Sequence, residues 1–594
     1  MKTNFFISGF LTVVFLFNCL FSDAQNVSDS IHVNTAGMLS SLITTTAKYE
    51  ITDLRLTGSL NGTDFKLIRQ MTELSTLDLS GASIVTGGDL TCYENTIMGG
   101  LLSDLLNLTK VVLPDNLTSI GGGAFKACKR LCSVTISNHV KAIDRGAFKE
   151  CSALTHIDIP FGVEILGTLS VSIGSGVFEG CTKLKSISLP ESLTFIDDGT
   201  FYDCTSLESV VFPDHLTSIE HFMFYNCTSL TSFTIPSKTL SIGIAAFNGC
   251  TSLTSINIPL GVETMNTSAF SGCSNLASVT LPKSITYLDS YTFHDCSSLP
   301  AITLPNSITS IGDGVFQNCN KLKAIDIPYR VTTIGEEAFA NCTNLETVDI
   351  KEGLSLIDRD AFKNCISLTS ITIPEGIKTI FMSTFEGCSK LVKAELSSDI
   401  TLIEYGAFKD CSSLTSINIP DKVTKIQGWA FGGCSSLTSI VIPKLTTQFE
   451  NGVFAGCTGL RSIRCQAETP PGIYIDMFSE MYTFFQVDKT LCWLYVPVGA
   501  TANYAAAKGW KDFQHISESP TATPNLTNNK IRVFNRGDMI VVQGSEMGDI
   551  ISVYTTNGKL VKQIISTVEE NCLSLESDRT YILKVKDQSY KIAL

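Results

Sequence analysis

Ile302-Thr-Leu-Pro305-Asn-Ser-Ile308-Thr-Ser-Ile311-Gly312-Asp-Gly-Val-Phe316-Gln-Asn-Cys319-Asn-Lys-Leu322 is one copy of a unit that recurs, with small variations, through most of the chain. Its sharpest marker is Phe-x-x-Cys, which occurs fifteen times in phase from Phe125/Cys128 to Phe454/Cys457. Successive phenylalanines lie 23 residues apart, except that 178 − 148 = 30 implies a seven-residue insertion after Phe148. A fixed period in this range is the mark of a solenoid, and the whole fold is read from it.

Each unit divides into three parts. Leu322-x-x-Ile325-x-Ile327 alternates and predicts a short strand with one face inward. Pro328 ends it, and twelve of the 18 prolines occupy this slot. Val331-Thr-Thr-Ile334 predicts a second strand, with Gly335 as a turn residue free to take positive φ. Ala338-Phe339-x-x-Cys342-x-x-Leu345 has apolar residues three apart, as in a single helical or 3₁₀ turn. Stacking buries the inward Phe, Cys, Leu and Ile of each unit on those of the next. About 16 coils are expected, spaced about 4.8 Å apart.

The in-phase pattern Ile-x-x-Ala-Phe-x-x-Cys-x-x-Leu-x-x-Ile-x-Ile-Pro over residues 106–466 resembles the BspA-like leucine-rich repeat proteins, surface or secreted proteins of mouth and gut anaerobes and of some protozoa. The resemblance implies a leucine-rich repeat solenoid that adheres to host matrix proteins, surface glycans or partner cells.

Charged residues make up 17% and hydrophobic ones 44%, which excludes a disordered chain. The net charge is −14 with no long basic run, which argues against nucleic-acid binding. Fifteen of the 21 cysteines fall one per coil in an inward slot, an odd number that cannot pair completely. Side chains stacked about 4.8 Å apart are also too distant for a disulfide. They read as a ladder of small buried apolar residues rather than a disulfide or metal framework. Cys465 and Cys492, at the end of the array, are left open as a pair.

Residues 1–24 read as a signal peptide: Lys2, an apolar run from Phe5 to Phe21, then Ser22-Asp23-Ala24 before a cleavage site at Gln25. Cys19 follows Asn18 rather than the small residue that usually precedes a lipidated cysteine. No later run is long enough to span a membrane, so no transmembrane anchor is expected. Residues 25–105 are an N-terminal cap with the first repeats, marked by Leu54-x-Leu56 and Leu74-x-x-Leu77-x-Leu79, and Gly87 to Gly100 reads as a loop. After Cys465 the period stops. Residues 467–516, with Tyr474, Phe478, Tyr482, Phe484 and Phe485, the segment Leu494-Tyr-Val-Pro497 and a helix over 502–511, are expected to cap the solenoid. Leu-Tyr-Val-Pro…Gly-Trp-Lys-Asp-Phe resembles the terminal unit found after such arrays.

Residues 517–530 read as a linker, and 531–594 as a small all-β domain. Val553-Tyr554-x-x-x-Gly558-x-Leu560-Val561 with Tyr581-Ile-Leu-Lys-Val585 resembles the sorting domain of the Por-type secretion system; Arg579 stands where that pattern usually has Gly. The alternative is a plain β-sandwich tail.

The seven histidines show no metal-ligand spacing and no Ser/His/Asp or Cys/His set converges. The acidic turn residues Asp197, Asp198, Asp313, Glu336, Glu337, Asp358, Asp360 and Glu404 read as a solvated edge rather than a calcium site. No catalytic residue, metal or cofactor is assigned. Outward strand positions such as Ser232/Thr234, Ser255/Asn257 and Ser278/Thr280 form a hydroxyl surface with many copies of one shallow contact, suited to multivalent binding. The slot two before Phe, otherwise small or acidic, carries Phe222, Tyr291 and Trp429. These are candidate ligand-binding residues, or else cover for the turn. The expectation is a monomeric, exported, non-enzymatic adhesin or binding scaffold. A structural spacer and a polysaccharide-active β-solenoid enzyme are the alternatives.

Overall fold

The computed structural model describes residues 28–168, 176–473 and 483–518, and, within the C-terminal segment, 532–536, 539–543, 550–556, 559–566, 570–575, 580–585 and 588–593. The signal peptide, Cys19, most of the expected linker, the seven-residue insertion and Tyr474, Phe478 and Tyr482 lie outside these residues. The chain forms two compact units, divided between Ser519 and Pro520.

The first unit is a solenoid of about 21 coils, more than the 16 or so expected from the repeat. Its first column is a series of short parallel sheets whose inward residues lie side by side: Leu54 beside Leu77, Leu77 beside Val111, and Ile325 beside Val348. A second column of two-residue strands places Ile311 beside Ile334 and Ile334 beside Ile357. Inward residues of both columns are buried, Val210, Val279 and Val348 only partly, and the residues flanking them in the first column face out. Phe rings stack from Phe125 to Phe484; neighbouring centroids are 5.2 Å apart at Phe247–Phe270 and 5.8 Å at Phe270–Phe293, and the planes at both steps are nearly parallel.

The third part of the coil is neither a helix nor a continuous 3₁₀ turn. Three-residue turns do close, with Cys342 N–H on the Phe339 carbonyl (3.1 Å) and Leu345 N–H on the Cys342 carbonyl (3.0 Å). They are interrupted by left-handed residues two before nearly every Phe, Phe178 excepted, and two after it, as at Glu337 (φ 55°) and Asn341 (φ 61°). This alternation turns successive N–H groups along the solenoid. Gly314, Phe316 and Asn318 donate to the carbonyls of Glu336, Ala338 and Ala340 in the next coil, at 2.8–2.9 Å. The turn side is therefore a third inter-coil ladder.

Gly335 is not the positive-φ residue that its place after Ile334 suggests. An added Cβ would meet the Asp313 amide nitrogen at 2.7 Å, so glycine there admits the backbone of the preceding coil. The left-handed residue is Glu337, two positions on. The expected loop at Gly87–Gly100 contains the strand Thr96–Ile97, which starts the second column by pairing with Ser119–Ile120.

Beyond Cys465 the sequence period ends but the coils do not. Ile463 pairs with Leu494, and Leu494 with Ile516, in the same parallel column. The last strand, His515–Glu518, runs into the segment whose composition reads as linker. The helix is Thr501–Ala506, shorter than expected; it buries Tyr504, whose hydroxyl donates to the Ala467 carbonyl at 2.8 Å. Trp510 is buried against Phe484 and Phe449, and its indole N–H donates to the Pro471 carbonyl at 2.9 Å. Bulky aromatics thus close the last apolar face.

The second unit has two antiparallel sheets: 532–536, 539–543 and 570–574 in one, and 560–565, 550–555, 580–585 and 588–593 in the other. Its core includes Ile540, Val542, Ile551, Val553, Tyr581 and Leu583.

Candidate functional site

The Phe-x-x-Cys turn builds a closed interior. The Cys319 thiol donates to the Phe293 carbonyl of the preceding coil at 3.2 Å, and that carbonyl also accepts the Cys296 N–H. The same thiol contact repeats from Cys128 to Cys457, so the slot takes a small apolar side chain that can also donate one weak hydrogen bond. Burial pushes the thiols up, to about 12 at Cys273, Cys342 and Cys388. They are unreactive spacers rather than nucleophiles. Cys465 and Cys492 are both free and buried. Strand register puts Cys492 opposite Arg461, about 13 Å along the strand from Cys465, too far to pair.

Phe222, Tyr291 and Trp429 all occupy the left-handed slot before Phe, with φ of 54°, 59° and 58°. Glycine suits this slot because a Cβ there costs about 1–2 kcal/mol, which explains the small residues of most coils. Each aromatic has its own surroundings. The Tyr291 ring lies over Gly314 of the next coil, where an added Cβ would come within 2.4 Å of it, and meets His294 edge-on at 5.7 Å. Trp429, half-buried, covers Gly452 in the same manner. Phe222 sits 6.1 Å from Tyr225, which stacks on Tyr202 at 4.6 Å. The three rings share one edge but are three and six coils apart, about 14 and 29 Å, and do not meet.

The outward first-strand positions form a continuous exposed face, with Ser232/Thr234, Ser255/Asn257, Ser278/Thr280 and Ser370/Thr372 at the surface. Hydroxyls on the other edges are engaged between coils: Thr228 donates to the Thr205 carbonyl and Thr332 to the Thr309 carbonyl. The histidines bond locally, as at His156–Asp158 and His215–Leu193, and among the described residues no three metal-ligating side chains gather. No helix among the described residues is long and apolar enough to cross a membrane.

One group was not singled out from the sequence. Trp493, Tyr495 and His515 project from the same outward face at its C-terminal end, with Arg464 opposite Tyr495. The available signal was Phe484, which follows Phe454 by 30 residues (484 − 454), the interval from Phe148 to Phe178. Phe484 continues the ring stack, but the inward Leu494 follows it by ten residues rather than the nine from Phe454 to Ile463, so phase alone would turn Trp493 inward; the strand register instead sets Trp493 and Tyr495 on either side of Leu494.

Comparison with known families matches the BspA type leucine rich repeat region at residues 95–170, 171–299, 263–392 and 355–481. Among solved structures, a leucine-rich repeat protein from Bacteroides ovatus is 26% identical, over 66% of this chain and 87% of that one, with a TM-score of 0.43. A leucine rich cell surface protein from Faecalibacterium prausnitzii is 28% identical, over 64% and 85%, with a TM-score of 0.33. The comparison with curated proteins returns no match.

Proposed function

This chain belongs to the BspA-type leucine-rich repeat family, and from that premise we propose that it is a non-enzymatic binding scaffold at or beyond the cell surface. It engages host extracellular matrix proteins, surface glycans or partner cells through its repeated solenoid face. The observation that carries this reading is the unbroken outward column of the first strands, exposed and largely uncharged from Ser232 to Thr280. Many weak identical contacts to an extended partner sum to useful avidity without a deep pocket. Residues 1–24 direct export as a signal peptide, and residues 531–594 act as a sorting domain for secretion.

The test is binding of the mature chain, residues 25–594, to immobilised matrix proteins and glycans. Ser255→Arg with Ser278→Arg on the face should weaken a saturable interaction. The same charges at Leu240 and Glu263, on the second-strand edge, should not. Equal effects of both pairs would remove the strand face from the reading.

A further inference from the structure

We propose that the C-terminal end of the strand face holds a site for an acidic sugar, a pyranose ring carrying a carboxylate. This rests on the binding-scaffold reading and names one ligand class for it. Strand register sets four side chains at the corners of a small rectangle: Ser462 opposite Trp493, and Arg464 opposite Tyr495. His515 stands on the far side of Trp493, its ring stacked on the indole at 4.5 Å and 12°. Tyr495 lies 6.2 Å from the indole with its plane tilted by only 19°.

The stacking fixes which way the indole faces. His515 covers one side, so the other side turns toward the preceding coils, where the opposing residues are Ser462 and then Ser439. The space before Trp493 is therefore bounded by one aromatic wall and floored by small hydroxyl residues. Two coil steps give about 10 Å of floor, enough for one sugar ring laid against the indole. The C–H face of a pyranose meets the negative face of an aromatic ring, and its hydroxyls reach serine side chains.

Arg464 supplies the charge. It lies on the Ser462 strand two residues on, and so on the same face. It is half-buried and has no ion-pair or hydrogen-bond partner among the described residues. In a chain of net charge −14, several basic side chains of the array find acids, as Lys409 finds Glu386 and Lys422 finds Asp399. A guanidinium left unmatched beside an aromatic wall is complementary to a carboxylate, which it binds through two parallel N–H donors. An acidic protein segment would satisfy Arg464 but would leave the indole face and the serine floor unused.

The test is titration of the mature chain with oligogalacturonate and with its methyl ester, the same sugar with the carboxylate masked, followed by calorimetry and by tryptophan fluorescence. Oligogalacturonate should bind, and the ester about tenfold or more weaker. Trp493→Ala should abolish binding of both. Arg464→Gln should lower affinity for the acid to that for the ester, and Arg464→Lys should recover part of it. Equal binding of acid and ester, or unchanged binding by Trp493→Ala, overturns the site. So does capture of a polyglutamate peptide in place of the sugar. A chain that binds no uronate yet still binds matrix proteins through the strand face loses this inference alone. A chain that binds neither loses both.

Discussion

Asn318 donates its side-chain amide to the carboxylate of Asp295, one coil earlier, at 2.7 Å. Asn341 donates to Asn318 and Asn364 to Asn341, each at 2.9 Å. All four residues are left-handed, two after Phe, a conformation that Asn and Asp tolerate better than other side chains. The composition of the ladder follows from its chemistry. The first member has no earlier partner to donate to, and Asp has no donor to satisfy; the middle members must both donate and accept, which requires Asn. At the far end Gly387 stands where an added Cβ would lie 2.3 Å from the Asn364 oxygen. Asp203-Asn226-Gly249 repeats the order.

Replacing one middle member should therefore be costly. Asn341→Ala removes two ladder bonds and puts a less tolerant residue at positive φ, a loss of about 2–3 kcal/mol. Asn341→Asp keeps the shape but loses the donor to Asn318. It should be destabilised near neutral pH and partly recover as the new carboxyl protonates at acid pH. Urea denaturation at pH 7 and pH 4 checks both, and a pH-independent loss in the Asp variant would contradict the donor argument.

The stacked phenylalanines give a second prediction. Phe316 is fully buried between Phe293 and Phe339, with centroids at 5.8 and 5.3 Å. Phe316→Ala should cost about 3–5 kcal/mol, because neighbouring coils are held on both sides and cannot collapse into the space. An unchanged denaturation midpoint would show that the array tolerates a missing rung.

The phenylalanine stack marks what the sequence made legible, and the asparagine ladder what it did not. The inward Phe, Cys, Leu and Ile could be read because each coil imposes the same burial on the same slot, so period alone reveals them. Left-handed slots were harder to assign. Gly335 looked like the flexible residue, yet Glu337 carries the positive φ, because a conserved backbone path does not demand one residue type. The end coils were missed for a different reason: Leu494 and Ile516 keep the spatial register although the intervals between coils change. The Trp493 site depends on that register and so stayed hidden.

The thiol ladder predicts alkaline sensitivity. Burial raises the folded thiols, to about 12 at Cys342 and Cys388, whereas unfolded thiols ionise near 8.5. Below that pH both states hold the proton and the stability is intact. Above it only the unfolded state releases the proton, so stability falls with rising pH by up to about 1.4 kcal/mol per unit for each thiol until the folded value is reached. Unfolding midpoints should drop steeply between pH 9 and 11. Cys342→Ala and Cys388→Ala together should lessen that slope. Under native conditions at neutral pH, a thiol reagent should reach the exposed Cys132 and Cys572 and spare the ladder.

Arg145, partly buried, and Asp197, buried, form a two-pronged ion pair that reaches past the coil carrying the insertion, with Arg145 Nη2 donating to Asp197 Oδ1 at 2.9 Å. The Thr168 N–H also donates to this carboxylate, at 3.2 Å. Arg145→Leu would leave Asp197 charged and buried, at a cost of about 3–5 kcal/mol. Removing both partners, in Arg145→Leu with Asp197→Asn, should recover much of it. Thermal denaturation of the single and double variants measures the coupling, and an additive result would mean that the pair is incidental.

The left-handed aromatics separate cover from function. In Tyr291→Ala the Cβ cost of the slot remains while the ring over Gly314 is lost, so stability should fall by about 1 kcal/mol. In Tyr291→Gly the ring is lost but the backbone cost is relieved, and the midpoint should stay close to that of the parent. The same comparison applies to Trp429 over Gly452. If the edge binds a partner, both substitutions at Trp429 should weaken binding equally, whatever they do to stability. If the ring is only cover, binding should follow the folded fraction, and Trp429→Gly should bind as the parent does.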